Sequence, residues 1–372
     1  MELKPLLERF GLKKASALLN KESRFLGVDI GSSSIKLAQL KKDKERAVLE
    51  TYGELALAKY GEGAVGRSVR LVDTKLAEAL KDLLAEAQAK TKEAVVSIPL
   101  KDSFLTTMEM PEMGGEEMKE AVPYEARKYI PIPISEVAMD WWILPPGGEE
   151  QSATSIGSGR RKFRTVILAA VPKETISKYK NIFEKAGLKI SAFEIEVFSF
   201  ARAVLRHDLG TVLMIDLGAS SVKMAIADGG VVRASHGFDR GSQELTLALS
   251  QSLGVDWDRA EVLKRESGII KKPETEGIAS VLEPTVELWA SEGERFLLDW
   301  KRRGGRSISK VIIGGGGAML QGAGDLFVKK FGVEVITANP FSKVVYPAFL
   351  EPALKEVGAT FTSAVGLALR EF

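Results

Sequence analysis

Cysteine is absent from the 372 residues, and histidine occurs only twice. Disulfides and thiolate chemistry are therefore excluded, and a histidine-rich metal site has almost no ligands to draw on. Charge of one sign is also scarce: the net is +2 although 27% of residues are charged. Such a chain carries no electrostatic footprint for nucleic acid or for an anionic membrane. No apolar run reaches the roughly 18 to 20 residues that span a bilayer, and the N-terminus lacks the apolar core of a signal peptide. These absences predict a cytoplasmic protein. What is present is 45% hydrophobic residues over a length sufficient for two or more domains.

The sequence also repeats itself. Asp29-Ile30-Gly31-Ser32-Ser33-Ser34-Ile35-Lys36 recurs 187 positions later as Asp216-Leu217-Gly218-Ala219-Ser220-Ser221-Val222-Lys223. Each copy ends an apolar run and leads into a second alternating run, the pattern of a strand, a tight turn and a return strand. Such turns are common for structural reasons alone, but a spaced pair is specific. Glycine admits a close ligand, N–H groups and serine hydroxyls hold phosphate oxygens, and aspartate holds a hydrated Mg²⁺. Two such hairpins predict a nucleotide gripped between two halves of the chain.

Between and around the copies, periodicity predicts helices at 71–90, 116–129, 173–187 and, joining the halves, 193–206. It predicts strands at 94–99, 104–110, 137–144 and 165–171. The segment 242–303 reads as helical, cut by Gly254, Gly268, Pro273 and Pro284, and 145–161 as a long flexible loop. Leu3, Leu6, Leu7 and Phe10 have helical spacing in a leader that is either a surface-binding helix, a helix packed on its own domain or a loose terminus. Gly61-Glu62-Gly63-Ala64-Val65-Gly66 formally matches a dinucleotide fingerprint, yet no strand feeds it, so it reads as a mobile loop. Val311-Ile312-Ile313 runs into Gly314, Gly315, Gly316 and Gly317 and then a helical stretch. In isolation that is a flexible turn; beside two phosphate hairpins it is a bare backbone on which a planar base can lie.

Two Asp-Gly-Ser hairpins, a linking helix and a late strand-GGGGA-helix resemble the actin-like nucleotide-binding superfamily. An insertion at 97–172 sits where FtsA has its extra subdomain. Within it, Glu120–Leu144 (EAVPYEARKYIPIPISEVAMDWWIL) resembles the PilM family of type IV pilus assembly, as do Asp239–Thr246, Ala260–Gly268 and Ser363–Arg370. The match runs from about residue 25 to the C-terminus. Pro123 inside the insertion's helix, Ser242 where glycine is usual and the 23-residue leader depart from the pattern.

The resemblance implies an α/β, actin-like ATPase fold of two RNase H-like halves with an FtsA-type inserted α+β subdomain. Its implied divisions are a leader at 1–23, subdomain IA at 24–96 and 173–209, IC at 97–172, IIA at 210–238 and 304–372, and IIB at 239–303. It implies ATP and Mg²⁺ as cofactors, with Asp29 and Asp216 organising the metal through water. Gly31, Ser32, Ser33, Ser34, Gly218, Ala219, Ser220 and Ser221 would frame the phosphates, and Lys36 would contact one of them. Lys223 reads either as the echo of Lys36 or, preferably, as a solvated strand residue. Glu261 and Lys264, on one helical face, would meet ribose and base, unless they form an ordinary ion pair. Glu196 would position water for hydrolysis, with Glu194 the alternative. A carboxylate there repels the γ-phosphate unless a cation compensates, so at most slow hydrolysis is expected.

The implied role is a cytoplasmic platform at the inner membrane that receives the cytoplasmic tail of PilN between IA and IC. Indirect links to PilO, contacts with PilB, PilT and PilC, and self-association would accompany it. Tyr129, Ile130, Pro131, Ile132 and Trp141 are candidates for the groove, or alternatively core of the insertion. An FtsA-like filament, a small-molecule kinase of the same fold and a GspL-like secretion subunit are rival readings.

Overall fold

The computed structural model describes residues 23–61, 63–146, 163–206 and 210–372. The expected leader helix and most of the expected loop at 145–161 lie outside the described residues.

Two five-stranded sheets share one plan. The first takes β1 (Arg24–Ile30), β2 (Ser34–Asp43), β3 (Arg46–Ala56), β4 (Glu93–Ile98) and β8 (Lys189–Ile195) in the order β3-β2-β1-β4-β8. The second takes β9 (Thr211–Leu217), β10 (Val222–Asp228), β11 (Val231–Phe238), β12 (Lys310–Gly314) and β13 (Glu334–Thr337) in the order β11-β10-β9-β12-β13. Relabelled from its first strand, each is the same antiparallel hairpin pair extended by parallel strands. The duplicated motif is thus the local sign of a duplicated half. Helices α1 (Asp73–Glu86) and α3 (Lys173–Lys185) cover one face of the first sheet, where Leu80, Leu83, Ile182 and Phe183 meet Leu26, Val28 and Val96. On the second, α5 (Gln243–Leu253), α6 (Trp257–Ser267), α7 (Glu276–Arg302) and α8 (Ala323–Phe331) close a core around Trp289 and Phe327, both fully buried.

The insertion is a third, antiparallel sheet of β5 (Phe104–Pro111), β7 (Phe163–Pro172) and β6 (Val137–Ile143), in the order β5-β7-β6, carrying α2 (Gly115–Ala126). Met118, Val122 and Ala126 from α2 pack on Met108, Val166 and Leu168. Pro123 lies inside α2, as the sequence predicts.

Two expectations change. Phe193–Ile195 continue β8, in parallel register with Val96–Ile98 of β4, so the linking helix α4 runs from Glu196 to Val204. An apolar run of that length does not by itself separate a buried strand from a buried helix. Pro284 does not cut α7, because Leu282, Val286 and Trp289 present one buried stripe across it and packing overrides the lost hydrogen bond. After α9 (Glu351–Val357), helix α10 (Thr362–Ala368) crosses back to the first sheet, where Phe361, Ala364, Val365 and Ala368 pack on Ala38, Leu40 and Leu49.

Candidate nucleotide site

Both hairpins close the same way. Gly31 N–H donates to the Ser34 carbonyl at 3.0 Å and Gly218 N–H to that of Ser221 at 3.0 Å, leaving two-residue loops, Ser32-Ser33 and Ala219-Ser220. Each loop is then tied from outside: Val69 N–H reaches the Ser32 carbonyl at 2.9 Å and Gln243 N–H that of Ala219 at 3.0 Å. The turns face each other across a cleft of about 1580 Å³ between the halves.

The cleft gathers Asp29, Gly31, Ser32, Ser33, Ser34 and Lys36 on one wall, and Asp216, Gly218, Ala219, Ser220 and Ser221 on the other, with Glu196, Glu261, Lys264, Gly315, Gly316 and Gly317 completing it. Gly314 does not line it. As the last residue of β12 it pairs with Asp216, and a side chain there would strike the Phe200 ring at 2.6 Å. Gly315, at φ +78°, turns the chain beneath Asp216, where a Cβ would stand 2.3 Å from Oδ1. That position needs glycine both for its backbone angle and for the space.

Ion pairing within the cleft departs from expectation. Asp29 Oδ1 accepts from the Ser97 hydroxyl at 2.5 Å. Lys36 stands 3.1 Å from Glu54 and donates to Ser34 Oγ at 2.6 Å. Although burial opposes it, Lys36 holds the Glu54 carboxyl below its usual range. Lys223 is not a solvated strand residue: its ammonium sits 3.0 Å from Asp216 and 3.1 Å from Glu196, and its side chain is 16% exposed. Burial disfavours that charge, but Asp216 and Glu196 outweigh it and raise the pKa. Glu196 is pushed up, first by burial and then by Asp216 and Asp29, with Lys223 and the Leu100 N–H pulling it back. Both of its oxygens are engaged, Oε1 by Leu100 N–H at 2.7 Å and Oε2 by Lys223. Glu194 points elsewhere, into a pairing with Arg202 and Arg370.

Glu261 and Lys264 do meet, at 2.5 Å, on α6, whose start is capped by Asp256 accepting from Arg259 N–H at 2.8 Å. Burial opposes it, but Lys264, with Thr246 donating at 2.6 Å and Arg265 at 2.8 Å, holds the Glu261 carboxyl below its usual range; burial likewise lowers Lys264. The end of the fingerprint-like segment and the residues that follow it are tied down. Val65 accepts from Trp257 Nε1 at 2.9 Å, Arg67 stacks over that indole at 5.5 Å, and Ser68 N–H reaches Gln243 at 3.0 Å, all across the cleft mouth.

For a hydrated divalent cation the fit is partial. Asp29 and Oδ1 of Asp216 offer carboxylate oxygens to metal-bound water, whereas Oδ2 of Asp216 is taken by Lys223. Among the described residues, no three acidic or histidine side chains cluster as direct ligands. Sequence reasoning missed Ser97 and Glu54, which belong to no motif, and the role of Lys223, which ends the second copy of the repeat.

The proposed partner residues separate. Ile130 is buried in the insertion's core, and Ile132 and Trp141 pack against it, whereas Tyr129 is 42% exposed and Pro131 exposed. Among the described residues, strand β6 pairs only with β7. Trp142 from β6 stands edge-on to Phe198 of α4 at 5.2 Å, with its Nε1 buried and without a partner among the described residues.

A family profile described as type IV pilus assembly protein PilM matches residues 27–372. Among solved structures, the PilM-PilN type IV pilus biogenesis complex superposes with a TM-score of 0.78 at 25% identity, covering 94% of this chain and 99% of that one. MreB5 of Spiroplasma citri, bound to ADP, shares the fold at TM-score 0.50 and 12% identity over 92% of this chain and 94% of its own. The cell division protein FtsA of Neisseria meningitidis serogroup B is 28% identical over 129 residues, 34% of this chain. The match spans about a third, 31%, of the length of that relative. No helix among the described residues is long and apolar enough to cross a membrane.

Proposed function

The chain belongs to the PilM family of type IV pilus assembly proteins, and from that premise we propose that it is an ATP-binding platform that receives the cytoplasmic tail of PilN at the inner membrane. The observation that carries the nucleotide reading is the convergence of both hairpins, Gly315–Gly317 and the Glu261–Lys264 pair on one cleft. Ser32, Ser33, Ala219 and Ser220 would frame the phosphates, Glu261 and Lys264 would face ribose and base, and Mg²⁺ bound with the nucleotide would be held through water by Asp29 and Asp216. The metal supplies charge neutralisation of the polyphosphate. The chain's own part is to orient the nucleotide and to join the halves through it.

The tail reading rests on β6. Its outer edge is unpaired with any described strand, so an extended segment can add there by backbone hydrogen bonds. Tyr129 offers an exposed aromatic anchor on the same subdomain. Contacts with PilB, PilT, PilC and indirectly PilO belong to the same proposal.

Calorimetric titration tests the nucleotide half. Ser33→Trp and Ser220→Trp, which put an indole into each phosphate loop, are each expected to weaken Mg-ATP binding at least ~10-fold, about 1.4 kcal/mol. No heat of binding in the parent, or unchanged affinity in both variants, would put the nucleotide elsewhere.

Turnover is expected to be slow. With both of its oxygens engaged, Glu196 is not free to orient water in line with the γ-phosphate. Phosphate release should stay well below about 1 per second, under the usual enzyme range. A faster steady-state rate without partners would mark the protein as a true enzyme.

A further inference from the structure

The two hairpins set a lysine opposite their aspartate at the same register, Lys36 against Asp29 and Lys223 against Asp216. The two ammonium groups nevertheless end in different company. Lys36 is neutralised by Glu54, a residue of its own sheet. Lys223 reaches out of its sheet to Glu196 at the start of α4 while keeping Asp216, so it is a cation at the base of the cleft, held between two carboxylates from two halves. Asp29 and Asp216 line the same cleft as Glu196 and disfavour its charge, and the half-buried Lys223 ammonium stands between Asp216 and Glu196.

A triphosphate entering such a corner meets acidic groups first, and its affinity depends on a countercharge. Actin-like folds meet that need with a divalent cation near the hairpin aspartates, but here Oδ2 of Asp216 already holds an ammonium. A fixed ammonium and a divalent cation sharing one carboxylate repel each other. The ammonium is compact and carries three donors, so two carboxylate partners leave one N–H for a phosphate oxygen.

We propose that Lys223 is a built-in countercation of the nucleotide site, so that ATP and ADP bind without Mg²⁺. The inference rests on the cleft being a nucleotide site, and Mg²⁺ then becomes an accessory to binding rather than a condition of it.

The test is calorimetric titration of the full chain with ATP in excess Mg²⁺ and again in excess EDTA. The parent is expected to change affinity by less than about 3-fold between the two. Lys223→Met is expected to bind ATP in Mg²⁺ but to lose at least ~10-fold in EDTA. Because that variant strands two carboxylates, one of them buried, Lys223→Met/Glu196→Gln is titrated beside it, with circular dichroism on both. The double variant is expected to fold and to show the same metal dependence. A parent that needs Mg²⁺ by more than ~10-fold overturns the inference and leaves the nucleotide site standing. A folded double variant that binds equally well in EDTA and Mg²⁺ does the same. Absence of binding to the parent in both conditions overturns the nucleotide site and the inference together.

Discussion

Replacing residues 104–170 by a two-residue Asn-Gly turn is expected to leave ATP binding within about 3-fold of the parent and to abolish capture of a synthetic PilN tail. The chain can be closed there because Phe104 and Ala170 are register partners, which puts Ser103 beside Val171 at the base of the insertion. A wider cut at 97–172, where the sequence places the insertion's ends, would damage the nucleotide site. It removes Ser97, which bonds Asp29, and the Leu100 N–H that holds Glu196. The narrower deletion uncovers apolar surface, since Leu105 and Ala169 pack on the cluster around Phe200. Circular dichroism and ATP titration therefore accompany the tail assay.

Point variants separate anchors from core. Tyr129→Ala removes an exposed ring and should cost the tail about 1–3 kcal/mol with little change in stability. Trp141→Ala removes a ring packed on the insertion's core and should destabilise that subdomain by about 3–5 kcal/mol, whatever its effect on the tail. Tail binding retained by the folded deletion protein would move the docking site off the insertion.

The halves and the cleft were readable because their signal is local and doubled: an aspartate, a glycine and two serines at a turn between alternating runs specify a hairpin without reference to the rest of the chain. What was not readable depends on distant segments. Lys223 looks like a solvated strand residue until Glu196, 27 positions earlier, is brought beneath it by the linking helix. Four identical glycines give no sign of which one faces the cleft, and only the end of β12 opposite Asp216 separates Gly314 from Gly315. Pro284 illustrates the reverse error, a local breaker overruled by a buried stripe that continues on both sides of it. The fingerprint-like glycines have no strand behind them, and Val65 and Ser68 are met there by an indole and a glutamine from the other half, contacts no local pattern announces.

Gly366→Val should be severely damaging. Gly366 lies in the buried helix α10, and a Cβ built on it would stand 1.9 Å from the Ser199 carbonyl oxygen of α4. Contact at that distance is with backbone, so no rotamer relieves it and the two helices must separate. Their crossing also seats Arg202, which donates to the Gly366 carbonyl at 2.9 Å and pairs with Glu194. Since α4 begins at Glu196, displacing it disturbs the floor of the cleft as well as the core. Overpacking a rigid core costs about 1–3 kcal/mol when side chains can yield, and more when backbone must move. The Val variant is therefore expected to lose at least about 3 kcal/mol in urea unfolding or to fail to fold, with Gly366→Ala intermediate. Gly277, also in a helix but facing open space, is the control: Gly277→Ala should be neutral or stabilising by up to about 1 kcal/mol. A Gly366→Val protein with the parent's urea midpoint and ATP affinity would mean that α4 and α10 do not touch at this point.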